Sequence, residues 1–201
     1  MPRIGQEAAR RAALVDATIA EVGKAGSLDV TVGQIARRAG MSSALAHYYF
    51  HSKDAIFLAA MRHILAEFAA QVRRRMAGAK TPAQRLSAII DASLGREQFA
   101  DEVVAAWLVF YVQAQHSPDA ARLLRVYARR LHSNLVHELR AHLPAERARA
   151  VAQGVAAMID GFYIRHALQD GAPERSQARA LVKDYLALCL GPCGAAAEGR
   201  H

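Results

Sequence analysis

The chain has 201 residues, of which 53% are hydrophobic, and it carries a formal net charge of +8. That apolar fraction can bury a sizeable core and excludes a largely disordered protein, while abundant alanine favours helix throughout. No apolar run approaches the roughly 18–20 residues that cross a bilayer, and the N-terminus lacks the apolar core of a signal peptide, so we expect a cytoplasmic protein. Cys189 and Cys193 are too few for a disulfide framework and lack the neighbours that a zinc site needs.

The positive charge is concentrated in the first part of the chain. Residues 1–80 hold twelve Lys and Arg against six Asp and Glu, whereas residues 81–201 hold fourteen against twelve. Such an excess at one end is typical of a nucleic-acid-binding surface. A basic face can also bind an anionic membrane, but no strongly amphipathic terminal helix with bulky apolar residues supports that alternative.

The N-terminal residues 1–5 are predicted to form a short arm, followed by a helix from about Gln6 to Ala25. Arg3 in this arm is placed to enter a DNA minor groove, as basic arms do in other helix-turn-helix proteins. A frayed arm without a role remains the alternative. Arg10 and Arg11 lie at the exposed start of the helix, where we expect them to reach phosphates.

The segment from Thr31 to Phe50 has the pattern of a helix-turn-helix. Thr31 and Ser42 are good N-caps for two short helices, and Gly40 tolerates the left-handed conformation of a tight turn. The second helix of such a motif enters the DNA major groove, although helical hairpins that bind no DNA share the pattern. The residues expected to face DNA are Arg3, Thr31, Ser42, Ser43, Ala44, Leu45, His47, Tyr48, Tyr49 and Lys53.

The run T-x-x-x-I-A-x-x-A-G-x-S, followed by Y-F-x-x-K-D, resembles the N-terminal domain of the TetR family of transcriptional regulators. Three positions depart from the family pattern: Ala44 replaces a common Gly, Ala46 a larger aliphatic residue, and His47 a Tyr that often touches phosphate. The resemblance implies a repressor with a DNA-binding domain at residues 1–52 and a ligand-binding and dimerisation domain at residues 53–191. Residues 192–201 are expected to be a disordered tail.

The rest of the chain is also predicted to be helical, with prolines near the N-terminal ends of several predicted helices. Counted with the three helices of the head, these segments give nine helices. We therefore predict an all-α protein with two domains, a three-helix head and a larger helical bundle. The predicted segments are a connector at 53–77 and helices at about 83–94, 99–116, 118–142, 145–169 and 174–190.

The last two predicted helices have apolar faces wider than a single packing contact needs. Paired helices of this kind commonly join a two-fold copy in a four-helix bundle, which is the dimer interface in TetR-like proteins. A homodimer would let two recognition helices read half-sites about one DNA turn apart. The residues predicted at this interface are Val151, Val155, Met158, Phe162, Leu181, Val182, Tyr185 and Cys189.

A cluster of aromatic residues and one carboxylate suggests a small-molecule site. Aromatic faces with one negative charge suit a quaternary ammonium ion, although aromatics at these spacings are also typical of a plain core. Segments such as AAWLVFYVQAQHSP and AAMIDGFYIRHAL resemble the BetI branch of the TetR family, whose members repress the genes that convert choline to the osmoprotectant glycine betaine. The resemblance implies choline, or betaine aldehyde, as inducer. The candidate ligand residues are Trp107, Phe110, Tyr111, Asp160 and Tyr163.

The sequence lacks the common motifs of enzymes and of cofactor-binding proteins. The chain has no H-E-x-x-H, no G-x-S-x-G, no Walker-type phosphate loop and no dinucleotide fingerprint, so we expect neither an enzyme nor a cofactor. Its nine histidines are scattered, and no metal site is expected. The remaining alternatives are a TetR-type repressor that responds to another small cationic or apolar ligand, and a helical interaction protein that binds no DNA. In the repressor reading, the inducer tilts the connector helix and moves the two heads out of register with the DNA.

Overall fold

A computed structural model describes the backbone of residues 3–168 and 173–191, with side chains from residue 6 onward. Within these ranges the protein is all-α with nine helices, which confirms the predicted fold class. The predicted tail at residues 192–201 lies outside the described residues. The helices are α1 (Arg3–Ala25), α2 (Val32–Arg38), α3 (Ser43–Tyr49), α4 (Lys53–Ala77), α5 (Pro82–Ser93), α6 (Asp101–Gln113), α7 (Pro118–Leu139), α8 (Ala145–Leu168) and α9 (Arg175–Leu190).

The predicted N-terminal arm is wrong in its extent, because α1 already begins at Arg3. A single glycine such as Gly5 costs a helix only about 1 kcal/mol relative to alanine. The stretch that follows, EAARRAA, consists of strong helix formers and offsets that cost. The backbone at Arg3 is therefore helical rather than extended.

The helices form two compact units, which we call the first and the second unit. Of the described residues, the first unit comprises 3–66 and 100–124, and the second comprises 67–99, 125–168 and 173–191. α6 thus belongs with the helix-turn-helix in the first unit, while α5, α8 and α9 belong to the second. α4 and α7 each contribute residues to both units.

The core of the first unit is built where α1 packs against α6 and α2. Leu14 and Val22 of α1 are buried there, as are Ile35 of α2 and Ile56 of α4. Removing side chains of this size from water provides most of the driving force for packing, about 1.5–3 kcal/mol for each fully buried aliphatic residue. The head is thus anchored by α1, which contacts both α2 and α6.

In the second unit α9 packs against α8 and α5. Charged groups reinforce the α5 contact, since Asp91 lies 2.9 Å from the Lys183 ammonium and 3.8 Å from the Arg179 guanidinium. Glu138 of α7, with a side chain only 5% exposed, lies 3.7 Å from Arg85. Buried carboxylates need such partners because an unpaired charge is expensive to remove from water.

α4 is the one helix in the described part of the chain that is long and apolar enough to span a bilayer. This differs from the expectation that no segment approaches that length. However, 44% of its most apolar stretch is buried inside the protein, and core helices share these properties. Length and composition alone carry no argument for a membrane here.

Candidate functional site

The first helix of the motif, α2, is fixed by a capping box at Thr31. The Thr31 hydroxyl accepts a hydrogen bond from the backbone N–H of Gln34 at 3.1 Å, and the Gln34 side chain accepts one from the Thr31 N–H at 2.7 Å. Two of the free N–H groups at this helix end are thereby satisfied. On the opposite side, Ile35 and Ala36 are fully buried. The predicted N-cap is therefore present, and the buried side chains of Ile35 and Ala36 hold α2 against the core.

The turn between α2 and α3 depends on Gly40, which has a φ of 67°. Residues with a Cβ are strained in this left-handed region, whereas glycine is not. The next N–H, that of Met41, donates to the carbonyl of Ala36 at 2.8 Å and closes the turn. Ser42 then caps α3 by accepting a hydrogen bond from the Leu45 N–H at 3.2 Å. This geometry is that of a helix-turn-helix.

α3 presents a distinct solvent-facing side. Ser43, Ala44, His47 and Tyr48 lie on it at i and i+4 spacing, and all four are exposed, Tyr48 at 72%. The small residues come first and the large ones last, so the N-terminal end of the helix can approach closest to base edges. We call this set the α3 outer face.

Two of the side chains predicted on α3 do not belong to its outer face. Leu45 is half-buried. Tyr49 is only 8% exposed, because it packs inward with Ala46 on the side of the helix opposite Ser43 and Ala44. The Tyr49 ring therefore belongs to the core of the head, which corrects the prediction that it faces DNA.

The cations around the motif differ in what they contact. The Lys53 ammonium donates a hydrogen bond to the carbonyl of Leu28, so one of its three donors serves the fold. Arg38 forms an ion pair with Glu21 at 3.0 Å. Arg10 and Arg37 are exposed.

Arg11 does not simply project into solvent as expected. Its Nη1 donates a hydrogen bond to the carbonyl oxygen of Tyr49 at 2.9 Å, joining α1 to the last residue of α3. The sequence interpretation assigned this arginine to phosphates because it lies near the start of a helix. Donor and acceptor are 38 positions apart in the chain, so local sequence patterns do not reveal this contact.

The candidate ligand residues of α6 form an aromatic cluster in the first unit. The ring centroid of Trp107 lies 5.9 Å from that of Phe110 and 6.0 Å from that of Tyr111, and Phe57 of α4 lies 6.4 Å from Phe110. Trp107 and Phe110 are 1% and 0% exposed, whereas Tyr111 is half-buried. These contacts are those of a packed core, and a role in ligand binding stays a prediction.

The other two candidate residues, Asp160 and Tyr163, lie one turn apart on α8 in the second unit. Asp160 is close enough to Tyr127 of α7 to affect its titration. The pKa of Tyr127 is raised above its ordinary value, first because burial disfavours the phenolate and second because the Asp160 charge repels it. The Tyr127 ring in turn packs edge-on against Phe68 of α4, with centroids 5.4 Å apart.

Tyr163 is held by a polar and an aromatic contact. Its hydroxyl donates a hydrogen bond to the backbone carbonyl of Ser93 at the end of α5. Its ring lies 5.5 Å from that of Phe99, which also lies 4.9 Å from the imidazole of His166. The second unit thus brings together a carboxylate and several aromatic faces, drawn from α4, α7, α8 and the segment after α5.

Three members of this arrangement were absent from the sequence-based candidates: Phe68, Phe99 and Tyr127. Phe99 and Tyr127 lie in the sequence on either side of the candidates Trp107, Phe110 and Tyr111, so the aromatic content of this segment could have pointed to them. Phe68 of α4 is far from them in sequence, and its spacing from other apolar residues of that helix is typical of a core position. We call Phe68, Phe99, Tyr127, Asp160 and Tyr163 the aromatic–carboxylate cluster.

The predicted dimer residues divide into two groups. Val151, Val155 and Val182 are at most 1% exposed within one chain, in which α8 packs against α9. They cannot also form the surface of a dimer contact, which corrects the prediction for these three. Leu181 is 43% exposed, while Met158, Phe162, Tyr185 and Cys189 are half-buried.

Large apolar side chains do remain exposed on α8 and α9. Leu188 is 83% exposed, Leu168 71% and Ile164 49%. Together with Leu181 they form a set that we call the α8–α9 apolar face. Exposed apolar surface of this kind is typical of a protein–protein contact.

The end of α9 also contains a hydrogen bond between Tyr185 and the Cys189 thiol. This bond, followed by burial, raises the pKa of Tyr185. Cys189 is a free thiol, and Cys193 lies outside the described residues. Among the side chains that the structure describes, no three His, Cys, Asp or Glu residues are grouped closely enough to hold a metal ion.

Comparison with protein families matches both parts of the chain. Residues 14–60 match the model described as bacterial regulatory proteins, tetR family, and residues 82–191 match the model described as BetI-type transcriptional repressor, C-terminal. The chain is 54% identical to the HTH-type transcriptional regulator BetI of Brucella anthropi over 190 residues, covering 94% of this chain and 98% of that protein. It is 48% identical to BetI of Rhizobium meliloti over 186 residues, covering 92% of each.

Solved structures share the fold. A transcriptional regulator from Rhodococcus sp. RHA1 superimposes with a TM-score of 0.79 at 21% identity, over 90% of this chain and 95% of that one. A transcriptional regulator from Saccharomonospora viridis, solved in complex with choline, superimposes with a TM-score of 0.77 at 19% identity, over 88% and 94%. At these identities the likeness establishes the architecture of the helices.

Proposed function

Because the chain belongs to the TetR family and carries a BetI-type C-terminal domain, we propose that it acts as a homodimer that represses the genes converting choline to glycine betaine until choline releases it from DNA. Like its family and relatives, it is a DNA-binding transcriptional repressor and not an enzyme. We place its action in the cytoplasm, at the nucleoid when it is bound to an operator.

DNA contact is assigned to the α3 outer face. The observation that carries this assignment is that Ser43, Ala44, His47 and Tyr48 are all exposed, while Ala46 and Tyr49 hold the other side of the helix in the core. A helix fixed in this way can enter a major groove without rearranging the head. Thr31 and Ser42, at the N-termini of α2 and α3, lie where backbone N–H groups and hydroxyls commonly meet phosphates.

The homodimer is supported by the α8–α9 apolar face. A seven-residue recognition helix makes few base contacts, so a stable operator complex needs two copies that read two half-sites. An isologous contact through this face would cover its leucines and provide the two-fold symmetry that a palindromic operator requires. Leu181, Met158, Phe162, Tyr185 and Cys189 remain in the proposed contact.

Choline is supported as inducer by the chemistry of the aromatic–carboxylate cluster. A quaternary ammonium ion cannot donate a hydrogen bond, so it is held by aromatic faces and by a nearby negative charge. Asp160 supplies that charge, and the rings of Tyr127 and Tyr163 are fixed beside it by contacts with Phe68 and Phe99. The names of the curated relatives and the choline complex of the Saccharomonospora viridis regulator point the same way.

A buried side-chain amide offers a hydrogen-bond acceptor for the hydroxyl of choline. Gln71 is 8% exposed, and its Oε1 has no hydrogen-bond partner among the residues that the structure describes. It lies one turn after Phe68 on α4, and residues three apart share a helix face. A buried acceptor left unsatisfied costs about 1–3 kcal/mol, and the hydroxyl proton of choline would satisfy it. Glycine betaine at neutral pH has no such proton.

The signal from inducer to operator need not be large. Allosteric coupling is commonly about 1–3 kcal/mol, which lowers operator affinity by about 5- to 150-fold. α4 contributes residues to both units, so we expect a tilt of this helix to carry the signal. The alternative is a repressor with the same fold that responds to another small cationic or apolar ligand.

The function is tested by two measurements on the same preparation. A salt-dependent gel shift with the promoter upstream of its own gene tests DNA binding, and isothermal calorimetry with choline tests the inducer. We expect a specific shift and saturable choline binding. Binding to neither would contradict the function, whereas a specific shift without choline binding would contradict only the choice of inducer.

A further inference from the structure

We propose that Arg11 is a positioning residue for operator recognition, which holds α3 at the angle needed for the major groove and does not act through a phosphate. The inference rests on the DNA-binding function and adds a residue outside the helix-turn-helix. It is carried by a hydrogen bond, two ring contacts and the shortness of α3.

The hydrogen bond joins α1 to the C-terminal end of α3. Arg11 Nη1 donates to the carbonyl oxygen of Tyr49 at 2.9 Å, and Tyr49 is the last residue of α3. Carbonyls at this end of a helix lack intrahelical partners and carry a partial negative charge. A cation that donates to one of them both satisfies the acceptor and complements the helix dipole.

The same guanidinium packs over two aromatic rings. Its Cζ lies 5.5 Å from the centroid of Tyr49 and 5.4 Å from that of Phe50. Cations within about 6 Å of a ring centroid are attracted to its face. A planar guanidinium can stack on a ring and donate a directed hydrogen bond at the same time, which a lysine ammonium cannot reproduce.

α3 needs an external constraint because it has only seven residues. Helices this short are not stable in isolation, and their orientation is set by tertiary contacts. Its N-terminal end is held by Ser42 through the bond to the Leu45 N–H. At its other end Phe50 is already extended, with φ of −136° and ψ of 114°. Arg11 is the contact that ties this second end to α1.

The alternative role for Arg11 is a phosphate contact, since its side chain is 45% exposed. Glu7 lies 3.2 Å from its Nε and offsets part of the positive charge. The two roles differ in their salt dependence. Loss of a phosphate contact reduces the slope of log affinity against log salt by about one, whereas loss of positioning leaves the slope unchanged.

The test compares Arg11→Ala, Arg11→Lys and Arg10→Ala with the wild type by fluorescence anisotropy, on operator and on unrelated DNA, over a range of salt concentrations. Arg10 is the matched control because it is the neighbouring arginine on α1 and is exposed. For both Arg11 variants we expect operator affinity to fall on the order of tenfold, with the salt slope unchanged and binding to unrelated DNA nearly constant. Arg10→Ala removes at most the predicted phosphate contact, so it is expected to weaken binding to operator and to unrelated DNA alike and to leave the ratio of the two affinities unchanged.

Two results would overturn the proposal. One is an Arg11→Lys variant that binds operator as the wild type does, and the other is an Arg11→Ala variant whose salt slope falls by about one. If Arg11→Ala does not fold, Phe50→Leu removes one ring contact and keeps the charge, and it should lower operator preference in the same direction. A wild-type chain without operator affinity would instead contradict the repressor function itself.

Discussion

Gly23 of α1 lies directly against the backbone of Glu102 on α6. A Cβ added to Gly23 would stand 2.6 Å from both the Cα and the carbonyl oxygen of Glu102, closer than real Cβ contacts come. α1 therefore touches α6 at one end and, through Arg11, holds α3 near the other. α1 thus connects the recognition helix α3 with α6, the helix that carries the aromatic cluster of Trp107, within the first unit.

The first prediction concerns this contact. Gly23→Ala should force α1 and α6 apart, because the obstacle is backbone and not a flexible side chain, and overpacking of this kind typically costs about 1–3 kcal/mol. Thermal unfolding should show a lower midpoint. Gly78→Ala is the control, since a Cβ there meets nothing within 4 Å, and it should leave the midpoint nearly unchanged. Equal midpoints for the two variants would contradict the close packing.

The second prediction concerns the α8–α9 apolar face. Leu188 is 83% exposed, so Leu188→Glu should not disturb the fold, but it should place a desolvated charge in the proposed dimer contact. Light scattering coupled to size exclusion should show a dimer for the wild type and a monomer for the variant. Val126→Glu, at a 42% exposed position on α7, should remain dimeric. A monomeric wild type at micromolar concentration would remove the dimer from the proposal.

The third prediction concerns the charge in the aromatic–carboxylate cluster. Asp160→Asn keeps the shape of the side chain and removes its charge, so choline affinity should fall by about tenfold or more, since close charge pairs in binding sites contribute about 1.5 kcal/mol or more. Calorimetry with choline measures the change. Asp184→Asn, at an exposed position on α9, is the matched control and should bind as the wild type does. Unchanged affinity in Asp160→Asn would place the cation elsewhere.

The fourth prediction concerns recognition of the choline hydroxyl, as distinct from its ammonium group. If Gln71 accepts the hydroxyl proton of choline, the wild type should prefer choline to ethyltrimethylammonium, which lacks that hydroxyl. Gln71→Leu should abolish the preference, because the unsatisfied acceptor is gone and the ligand hydroxyl finds no partner. Competition binding with both ligands gives the two ratios. A preference that survives in Gln71→Leu would exclude this role for the amide.

The fifth prediction concerns alkaline pH. The pKa of Tyr127 is raised in the folded protein, so above about pH 10 the folded chain keeps a proton that the unfolded chain has lost. The free energy of unfolding should then fall as pH rises, by about 1.4 kcal/mol per unit from this group, and the contribution is fully present below about pH 10. Denaturant titrations from about pH 9 to about pH 11 should show a shallower decline in Tyr127→Phe. If the unfolding free energies of wild type and Tyr127→Phe fell equally with pH, the raised pKa of Tyr127 would be contradicted.

Local sequence was sufficient wherever a structure is set by neighbouring residues. Thr31 and Ser42 cap α2 and α3 as predicted, because a capping hydroxyl reaches only two or three residues ahead. Gly40 adopts the left-handed turn for the same kind of reason. The nine helices found in the described ranges were predicted from caps, breaks and composition.

Contacts between residues that are far apart in the sequence could not be predicted from local patterns. Helical spacing showed that α8 is apolar on more than one side, but it cannot tell which stripe packs inside the chain, so Val151 and Val155 were assigned to the dimer. The contact of Arg11 with Tyr49 and the proximity of Tyr127 to Asp160 join separate helices. Such pairs are fixed by tertiary packing, which overrides what the local pattern suggests.

The central claim is that choline releases this repressor from its operator. It is tested most directly by the fluorescence anisotropy of a labelled duplex from the promoter upstream of its own gene, saturated with protein and then titrated with choline. The account predicts that anisotropy falls from the bound value towards that of free DNA as choline reaches millimolar concentration, and that sodium chloride at equal ionic strength has a much smaller effect. Anisotropy that stays at the bound value throughout the choline titration would contradict it.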